Sequence, residues 1–490
     1  GIYLYNAYNN TISGNNISGN DYGIYLGGSD NNITGNDISN NNWDGIYLYN
    51  AYNNTISGNN ISGNDYGIYL EDSDNNAITG NDISGNDYGI YLDYSDNNAI
   101  RDNVFVNDGL FVYYSYDNDV VGNTVNGKPL VYLEDVSDVT VAGAGQVILV
   151  NCTNITVMDS ELTGASVGVE LWETSNSTII GNNISNNVAG IFLDSSDYNA
   201  ITGNDISGND YGIYLYYSDY NAITGNDISG NDYGIYLGGS DCNAITGNDI
   251  SGNDYGIFLD FSDCNTITGN DVRSNNVGIY LCYTWCNIIY FNNFVDNIIN
   301  LEETGSYDFW SSPFKIKYIY NGVQYEGYLG NYWSDYNGTD SDGDGIGDTP
   351  YKDIDYYPLI KPTTYYKILI LGPPEITSYS PEELSFETME GEAVTFTVTV
   401  DQVANITWYR NGTVMKTDEA VTTSSLTLTG ETGTWNITVV VENENGKTTL
   451  TWTWTVKPKP VPQPIWPILL GVGIAAALIV IILFTIKRRR

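Results

Sequence analysis

A short unit reads AITGNDISGNDYGIYL at residues 222–237 and carries the structural signal of most of the chain. Its apolar residues occupy alternate positions in short pieces, and Gly-Asn or Asn-Asp pairs separate these pieces. Alternation with a period of two, interrupted by turn residues, is typical of short β-strands and not of helices. The unit therefore predicts strands joined by tight turns, with Ile235 and Leu237 facing inward.

The unit is repeated along the first 300 residues. Gly-Ile-Tyr-Leu, or a close variant, begins every 22 residues from Gly1 to Gly89 and again from Gly168 to Gly278. A fixed period of this length indicates stacked repeats, because one unit cannot bury its apolar face alone. Three short strands in 22 residues describe one coil, so residues 1–300 are predicted to form a parallel β-helix. Residues 101–167 break the period and are expected to form irregular coils inside one continuous helix.

A column of stacked asparagines is expected to stabilise this helix. Amide side chains that lie above one another can bond from coil to coil, as they do in cross-β assemblies. The column is predicted to consist of Asn199, Asn221, Asn243, Asn265 and Asn287.

Four further regions follow the repeats. Residues 301–362 are rich in Trp, Tyr and Asp and are predicted to cap the helix. Residues 375–456 alternate between apolar and polar positions with frequent turn signals, which predicts an immunoglobulin-like β-sandwich. Residues 457–467 are rich in proline and are predicted to form a stiff stalk. Residues 468–486 are apolar and uncharged over 19 positions, which is long enough for one transmembrane helix.

The basic residues 487–490, Lys-Arg-Arg-Arg, follow the apolar segment directly. The positive-inside rule places such a tail in the cytoplasm. We therefore expect a single-pass protein of the cell membrane with the bulk of the chain outside the cell. The chain begins in mid-pattern, so a signal segment is expected upstream. Asn-x-Ser/Thr sequons are frequent, which makes a glycoprotein the expectation for an outer surface.

Composition excludes several function classes. The 490 residues contain 17 Lys and Arg, 60 Asp and Glu and no His, for a net charge of −43. Such a chain is a poor partner for nucleic acid, which needs clustered basic residues. The absence of His removes Ser-His-Asp and Cys-His catalysis. The first 300 residues contain only Arg101, Lys128 and Arg273 as basic groups.

The chain resembles the NosD-like family, the periplasmic copper-binding proteins with a right-handed parallel β-helix, and its surface-anchored members found in archaea. The resemblance covers about residues 1–360. Its most specific pieces are residues 127–133 (GKPLVYL), residues 145–152 (GQVILVNC) and the closing block at residues 330–359. The resemblance implies a right-handed helix and a copper accessory role. With no His and 3 Met, the sequence lacks most ligands that copper favours, which argues against copper as a cofactor.

An acidic loop at residues 340–348 reads DSDGDGIGD and predicts a calcium site. Carboxylates at relative positions 1, 3, 5 and 9 with Gly at position 6 match the start of an EF-hand-type loop. Tyr351 stands at position 12, where such loops have Glu, so a solvated acidic turn is the alternative. The predicted ligands are Asp340, Asp342, Asp344, the carbonyl of Ile346 and Asp348.

Aromatic residues recur one per coil at outward positions. Such rings can stack on the faces of sugars, and they can also simply cover the rod by stacking on each other. The carbohydrate-contact candidates are Phe192, Tyr214, Tyr236, Phe258 and Tyr280, and the earlier repeats supply Tyr3, Tyr25, Tyr47, Tyr69 and Tyr91.

The predicted function is binding or structural, through contact with polysaccharide or a cell-envelope component. Carboxylates are repeated in every coil, whereas a catalytic pair of carboxylates occurs once in a glycosidase. No catalytic residue is therefore predicted, and the chain is not expected to be an enzyme. The alternatives are a polysaccharide lyase or glycoside hydrolase, and the copper accessory role that the family name implies.

Overall fold

The structure is a computed structural model that describes residues 1–369, 374–443 and 446–459. The chain divides into two units, residues 1–369 and residues 370–490. Most of the predicted stalk, the apolar segment at 468–486 and the basic residues 487–490 lie outside the described residues. Within the described ranges, no helix is both long and apolar enough to cross a membrane.

The first unit consists of two stacks of coils, which we call the N-terminal stack (residues 1–127) and the C-terminal stack (residues 128–309, together with Tyr332–Trp333). Each coil contributes one strand to a long-strand face and one to each of two short-strand faces, and equivalent strands of successive coils pair in parallel. The regular repeats pair at a register of 22 residues, for example Ile213 with Ile235 and Ile235 with Ile257. The predicted parallel β-helix is thus confirmed.

The faces of the N-terminal stack are six-stranded. Its long-strand face contains Ile2–Tyr5, Tyr22–Gly27, Asp44–Tyr49, Tyr66–Glu71, Tyr88–Asp93 and Leu110–Tyr113. Its second face contains Thr11–Ser13, Asn32–Thr34, Thr55–Ser57, Ala77–Thr79, Ala99–Arg101 and Asp119–Val121. Its third face contains Asn16–Ser18, Asp37–Ser39, Asn60–Ser62, Asp82–Ser84, Val104–Val106 and Thr124–Val125.

The C-terminal stack is longer and ends in a small cap. Its long-strand face contains Lys128–Glu134, Gln146–Val150, Val167–Trp172, Ala189–Asp194, Tyr211–Tyr216, Tyr233–Gly238, Tyr255–Asp260, Val277–Cys282 and Ile299–Thr304. Its second face contains Thr140–Ala142, Thr156–Met158, Thr178–Ile180, Ala200–Thr202, Ala222–Thr224, Ala244–Thr246, Thr266–Thr268, Trp285–Tyr290 and Tyr307–Phe309. Its third face contains Glu161–Thr163, Asn183–Ser185, Asp205–Ser207, Asp227–Ser229, Asp249–Ser251, Asp271–Arg273, Asn293–Val295 and Tyr332–Trp333. The cap contains Ile316–Tyr320, Val323–Gly327, the 3₁₀ turn Thr363–Tyr365 and Tyr366–Ile368.

Each coil is held together by buried aliphatic side chains and by asparagine ladders. Ile235, Leu237 and Ile245 are fully buried. Asn226 donates from its backbone N–H and from its amide to Oδ1 of Asn248, both at 2.9 Å. The predicted Asn199–Asn287 column is in register, and the backbone N–H of each of its first four members donates to Oδ1 of the next asparagine at 2.7–2.8 Å. The expected amide-to-amide bond forms between Asn265 and Asn287 at 3.0 Å, whereas the amide nitrogens of Asn221 and Asn243 have no partner among the described residues.

Several ladders end on a carboxylate. Each asparagine donates to the next, so the last member needs only to accept hydrogen bonds. Asp108 accepts from the Asn86 amide at 2.7 Å, and Asp308 accepts from the Asn287 amide at 2.9 Å. Burial raises the pKa of Asp108 to about 7, although the bonds from Asn86 oppose the shift.

The two stacks are not one continuous helix. Two faces of the N-terminal stack end at Leu110–Tyr113 and Asp119–Val121, and only the third continues into the C-terminal stack, giving a 15-stranded sheet. The continuation is a hairpin in which Val125 pairs antiparallel with Lys128. Asn126 and Gly127 both have positive φ (49° and 79°), which is the requirement of the tight turn that Asn-Gly favours. The expectation of uninterrupted coils through residues 101–167 is therefore wrong at this turn.

The hairpin places the two hydrophobic cores on opposite faces of the shared sheet. Val125 and Leu130 pack into the core of the N-terminal stack, whereas Val131 and Leu133 pack against that of the C-terminal stack. Strand side chains alternate between faces, so outward residues of the first long strands of the C-terminal stack cover the end of the N-terminal stack. Ile148 and Trp172 are two of these covering residues.

The second unit is also all-β. Its six strands form one sheet: five lie along a single path, and Thr413–Thr429 pairs with Ala393–Arg410 off that path. Phe396, Trp408, Trp452 and Trp454 are fully buried in its core. The immunoglobulin-like sandwich stays a prediction. The strands are Ile376–Ser380, Ser385–Met389, Ala393–Arg410, Thr413–Thr429, Gly433–Asn443 and Gly446–Lys457.

Candidate functional site

The five predicted aromatic residues lie in one column on the long-strand face of the C-terminal stack. Their register places each ring over the equivalent ring of the next coil. Successive ring centroids from Phe192 to Tyr280 are 5.1, 4.9, 5.0 and 4.7 Å apart. Phe192 is only 7% exposed, whereas the other four rings are half-buried. The column therefore presents ring edges and faces to solvent at about one ring per coil.

A second aromatic column runs beside the first, and sequence reasoning missed it. Tyr211, Tyr233 and Tyr255 stack with nearly parallel rings, 4.9 and 5.1 Å apart. Tyr211 also stacks on Tyr214 at 5.0 Å. The signal was the Tyr that stands three positions before Tyr214, Tyr236 and Phe258. The two columns together make a broad aromatic surface.

The N-terminal stack carries a matching surface on its own long-strand face. Adjacent ring centroids in this column are 4.6 to 5.3 Å apart. The column consists of Tyr3, Tyr25, Tyr47, Tyr69, Tyr91 and Phe111.

The two aromatic surfaces meet where Phe111 contacts Phe192, with ring centroids 5.5 Å apart. Two residues of the outward column of the C-terminal stack contact the N-terminal stack. Ile148 packs on the core of the N-terminal stack, and Glu170 accepts a hydrogen bond from Val112 in the last long strand of that stack. The next residue in register is Phe192, which touches the outward Phe111. The column thus crosses the end of the N-terminal stack and continues beyond it, so the two surfaces form a concave angle. We call this angle the inside corner.

The inside corner is held together by side chains that depart from the repeat. The Oε1 of Gln146 accepts the N–H of Leu110 at 3.0 Å, and its amide donates to the Leu110 carbonyl at 2.6 Å. Ser166 Oγ accepts the N–H of Gly109 at 2.9 Å. Glu170 accepts the N–H of Val112 at 3.1 Å. These bonds give partners to backbone N–H and C=O groups of the last long strand of the N-terminal stack and of Gly109 before it, which would otherwise be buried without hydrogen bonds.

Glu170 is the most perturbed carboxyl of the junction. It is 1% exposed, and burial raises its pKa well above the usual value, against the effect of the Val112 N–H. A raised carboxyl pKa means that the native state keeps a proton that the unfolded state releases. The stability of the fold should therefore fall as pH rises above about 4.5, the unfolded value, towards the native pKa.

Replacing Glu170 by Gln should weaken this pH dependence. The amide oxygen can still accept the Val112 N–H, but the side chain no longer titrates. We expect the melting temperature to fall less between pH 5 and pH 8 in Glu170→Gln than in the wild type, as measured by calorimetry. Glu161→Gln is the control, because Lys128 holds the pKa of exposed Glu161 below its usual value. If the melting temperature falls equally with pH in Glu170→Gln and in the wild type, the pH dependence does not come from Glu170.

Carboxylates line the inside corner from both sides. Burial, then Asp232 and then Asp87 raise the pKa of Asp210, so a carboxylate of the N-terminal stack acts on one of the C-terminal stack. The basic groups of the coils lie elsewhere, in ion pairs of Arg101 with Asp119, Lys128 with Glu161 and Arg273 with Asp249. The corner is therefore aromatic and acidic.

The acidic loop brings three of its five predicted ligands together. The carboxylate oxygens of Asp340, Asp342 and Asp344 lie within 4.8 Å of one another. Asp340 shapes the loop by accepting the N–H groups of Gly343 at 2.7 Å and Gly345 at 2.9 Å. Burial, followed by the neighbouring carboxylates of Asp342 and Asp340, raises the pKa of Asp344. Such mutual repulsion is what a bound cation relieves.

The other two predicted ligands are placed differently. Asp348 Oδ2 accepts hydrogen bonds from the Ser341 hydroxyl at 2.7 Å and from its N–H at 3.0 Å, which lower the Asp348 pKa. The side chain of Ile346 packs against the aromatic cluster of the cap. Tyr318 donates to the Asp344 carbonyl at 3.0 Å and fixes the loop from the cap side.

Two family models together match most of the first unit. Residues 1–154 match the model described as right handed beta helix region. Residues 136–254 and 230–338 match the model described as periplasmic copper-binding protein (NosD). No curated protein matches the chain at a significant level.

Solved structures resemble parts of the chain only loosely. The A-module of mannuronan C-5 epimerase AlgE6 from Azotobacter vinelandii is 12% identical, with 57% of this chain and 90% of that chain covered and a TM-score of 0.31. The periplasmic alginate epimerase AlgG is 16% identical, with 60% and 76% covered and a TM-score of 0.29. Human titin ZIg10 is 18% identical, with 19% and 82% covered and a TM-score of 0.16. At these scores the likenesses carry no argument about function.

Proposed function

Because the chain is a NosD-like right-handed parallel β-helix protein, we propose that it serves in binding or structure and contacts polysaccharide or another cell-envelope component. The surface proposed for this contact is the inside corner together with the aromatic column that continues from it, Phe192 to Tyr280. The observation that carries the proposal is the meeting of two aromatic surfaces at Phe111 and Phe192. A polymer lying in such an angle can stack on rings from both sides, which buries more of it than a flat face would.

The charge of the corner bears on which polymers it accepts. Asp87 and Asp210 lie beside the rings, and the net charge of the chain is −43. A polyanion would be repelled by this field, so neutral or cationic polysaccharides are the proposed ligands.

A glycan array with the purified chain tests this proposal. We expect retention on neutral or amine-bearing polysaccharides, and weak or no retention on uronate polymers at physiological salt. Retention on none of the arrayed polysaccharides would remove the carbohydrate proposal and leave a spacer or scaffold role.

We also propose that the loop at residues 340–348 binds calcium. The clustered oxygens of Asp340, Asp342 and Asp344 support this, because calcium prefers carboxylate and carbonyl oxygen ligands. A ligand that binds only the native state stabilises it by mass action.

Replacing both Asp342 and Asp344 by Ala should abolish the effect of calcium on thermal stability. In the wild type, saturating calcium should raise the melting temperature by about 2 °C or more, measured by calorimetry against EDTA. The double variant Asp205→Ala and Asp227→Ala removes two carboxylates from a repeated column and should keep the response. A full response in Asp342→Ala and Asp344→Ala would reject the loop as the site.

Copper, which the family description implies, does not fit the donors found. In the part of the chain that the structure describes, the one group of three candidate ligands from Asp, Glu and Cys is Asp340, Asp342 and Asp344. These are hard oxygen donors, whereas copper sites use imidazole and sulfur. The donor chemistry of the loop therefore argues against copper.

A glycoside hydrolase is the second candidate function. It is supported by Asp87 and Asp210, which come from different stacks and lie beside the rings of the corner, an arrangement that the repeat itself does not duplicate. Two carboxylates beside an aromatic platform suit glycoside hydrolysis, whereas lyases lean on basic groups. Release of reducing ends from a retained polysaccharide, lost in both Asp87→Asn and Asp210→Asn, would support the hydrolase. No release by the wild type would leave a binding role.

Membrane anchoring through residues 468–486 is proposed on sequence grounds alone. The apolar length and the basic residues 487–490 support it. Protease added to intact cells should cut the proline-rich stalk at 457–467 and release the acidic part of the chain that precedes the stalk. Cutting that occurs only after lysis would contradict the outward orientation.

A further inference from the structure

Asp194 occupies an unusual position beside the inside corner. It ends a long strand of the C-terminal stack, and its register neighbours in the adjacent coils are Trp172 on one side and Tyr216 on the other. Because register neighbours in parallel strands lie about 4.8 Å apart, the carboxylate is placed between two aromatic side chains. Trp172 and Asp194 are each 1% exposed.

Two tyrosines of the N-terminal stack complete the surroundings. The Tyr114 ring is 4.4 Å from the Trp172 ring, and the Tyr113 ring is 5.6 Å from it. Burial, and then the Asp194 carboxylate, raise the pKa of Tyr113 to about 12. Asp194 is thus enclosed by aromatic side chains from both stacks. We call Tyr113, Tyr114, Trp172 and Tyr216 the aromatic cage.

One oxygen of Asp194 has no protein partner. Oδ1 accepts the hydroxyl of Ser195 at 2.9 Å. Oδ2 is shielded from solvent, and no donor among the described residues bonds to it. A buried carboxylate oxygen without a donor is costly, so the site demands a hydrogen-bond donor. Burial, and after it the negative charge of Glu173, raise the pKa of Asp194 to about 6, against the effect of the Ser195 hydroxyl.

We infer that the aromatic cage binds a primary ammonium group, with an N–H donating to Asp194 Oδ2. The rings of the cage add cation–π attraction, which strengthens when the cation leaves water. A metal ion is a poorer match, because a calcium or magnesium site needs several oxygen ligands and this site offers one carboxylate. A quaternary ammonium satisfies the rings but has no N–H for Oδ2.

Access to the cage is through its tyrosines. Tyr114 is 36% exposed, and the adjoining Tyr217, whose ring is 4.4 Å from Tyr216, is 60% exposed. Rotation of exposed tyrosine side chains is fast. The cage can therefore admit a small ammonium group without separating the two stacks.

Thermal denaturation of the 490-residue chain tests the inference with simple probes. Methylammonium chloride should raise the melting temperature by about 2 °C more than sodium chloride at the same ionic strength, at pH 7.5. Tetramethylammonium chloride should give a smaller shift, because it cannot donate a hydrogen bond. Equal shifts with methylammonium and sodium would overturn the inference.

Two variants locate the effect. Asp194→Asn keeps the shape of the side chain and removes the charge, and it should lose the extra shift from methylammonium. Asp260→Asn is the matched control, since Asp260 lies in the same outward column three coils further on, away from the cage. A variant Asp194→Asn that still shows the full shift would exclude this carboxylate as the site. Melting in sodium chloride alone reports whether each variant is folded.

Two sources of the ammonium group can be separated. If it belongs to an amino sugar of a bound polymer, glucosamine oligomers should shift the melting temperature more than their N-acetylated counterparts, and only when Asp194 is present. If it belongs to a free small amine, methylammonium should act and the oligomers should not. The inference does not rest on the carbohydrate proposal: loss of the methylammonium effect refutes the cage, whereas failure of the glycan array refutes only the carbohydrate contact.

Discussion

Trp172→Ala is expected to destabilise the first unit by about 3–5 kcal/mol, the cost of truncating a buried tryptophan. The side chain is 1% exposed and contacts Tyr113 and Tyr114 of the N-terminal stack. Its Nε1 also donates to the Tyr116 hydroxyl at 2.9 Å. The truncation therefore removes the largest side chain at the contact between the two stacks.

The variant should also change the form of the unfolding transition. Each stack has its own core, and the residues around Trp172 couple them. We expect calorimetry of Trp172→Ala to show two separated transitions, with the shorter N-terminal stack melting first. Trp285→Ala is the control: Trp285 is 57% exposed, so its loss should change stability by no more than about 0.5 kcal/mol. A loss of less than about 1 kcal/mol in Trp172→Ala would contradict the described junction.

Asn226→Ala is expected to destabilise by about 3–6 kcal/mol, because several buried polar groups lose their partners at once. The Asn226 amide donates to the Ile201 carbonyl at 3.0 Å and to Asn248 at 2.9 Å. Its oxygen accepts the Asn204 backbone N–H at 3.0 Å. Alanine satisfies none of these groups, and the neighbouring coils leave little room for water.

The matched control for this variant is Asn15→Ala. Asn15 is the first member of the equivalent ladder in the N-terminal stack, is exposed, and donates at 2.9 Å to Asn36. Its loss should cost about 1 kcal/mol or less, since water can replace the bond. Urea denaturation measures the free energy of unfolding of both variants. Equal losses of that free energy would show that burial does not determine how much a ladder asparagine stabilises the fold.

The coils could be predicted from the sequence because each depends on local periodicity. The 22-residue spacing sets which residues stack, and the alternation around Ile235 sets which face inward. The hairpin between the stacks was missed, although Asn126-Gly127 is the dipeptide that such a turn prefers. Contacts between the stacks are not periodic, so the pattern of the repeat could not place them. In the sequence, the signal of these contacts was that Gln146, Ser166 and Glu170 depart from the residues of the repeat.

The candidate site was predicted in part for the same reason. Stacking put the aromatic column in register, so Tyr214 and Tyr236 are neighbours as expected. Phe192 is buried because Phe111 of the other stack packs on it. In the acidic loop, spacing placed Asp340 and Asp344 together, but the turn that Ser341 makes with Asp348 depends on the folded cap.

The most direct test of the proposed contact is a binding isotherm of Tyr236→Ala and Phe258→Ala together, on a polysaccharide that retains the wild type. Ile235→Ala serves as the control, since this fully buried neighbour should cost about 2–5 kcal/mol of stability while leaving the aromatic surface in place. The account predicts that the aromatic double variant binds about 5- to 150-fold more weakly, from the loss of two stacking interactions of about 0.5–1.5 kcal/mol each. It also predicts that Ile235→Ala, measured below its melting temperature, binds like the wild type. An aromatic double variant that binds as tightly as the wild type would contradict the claim.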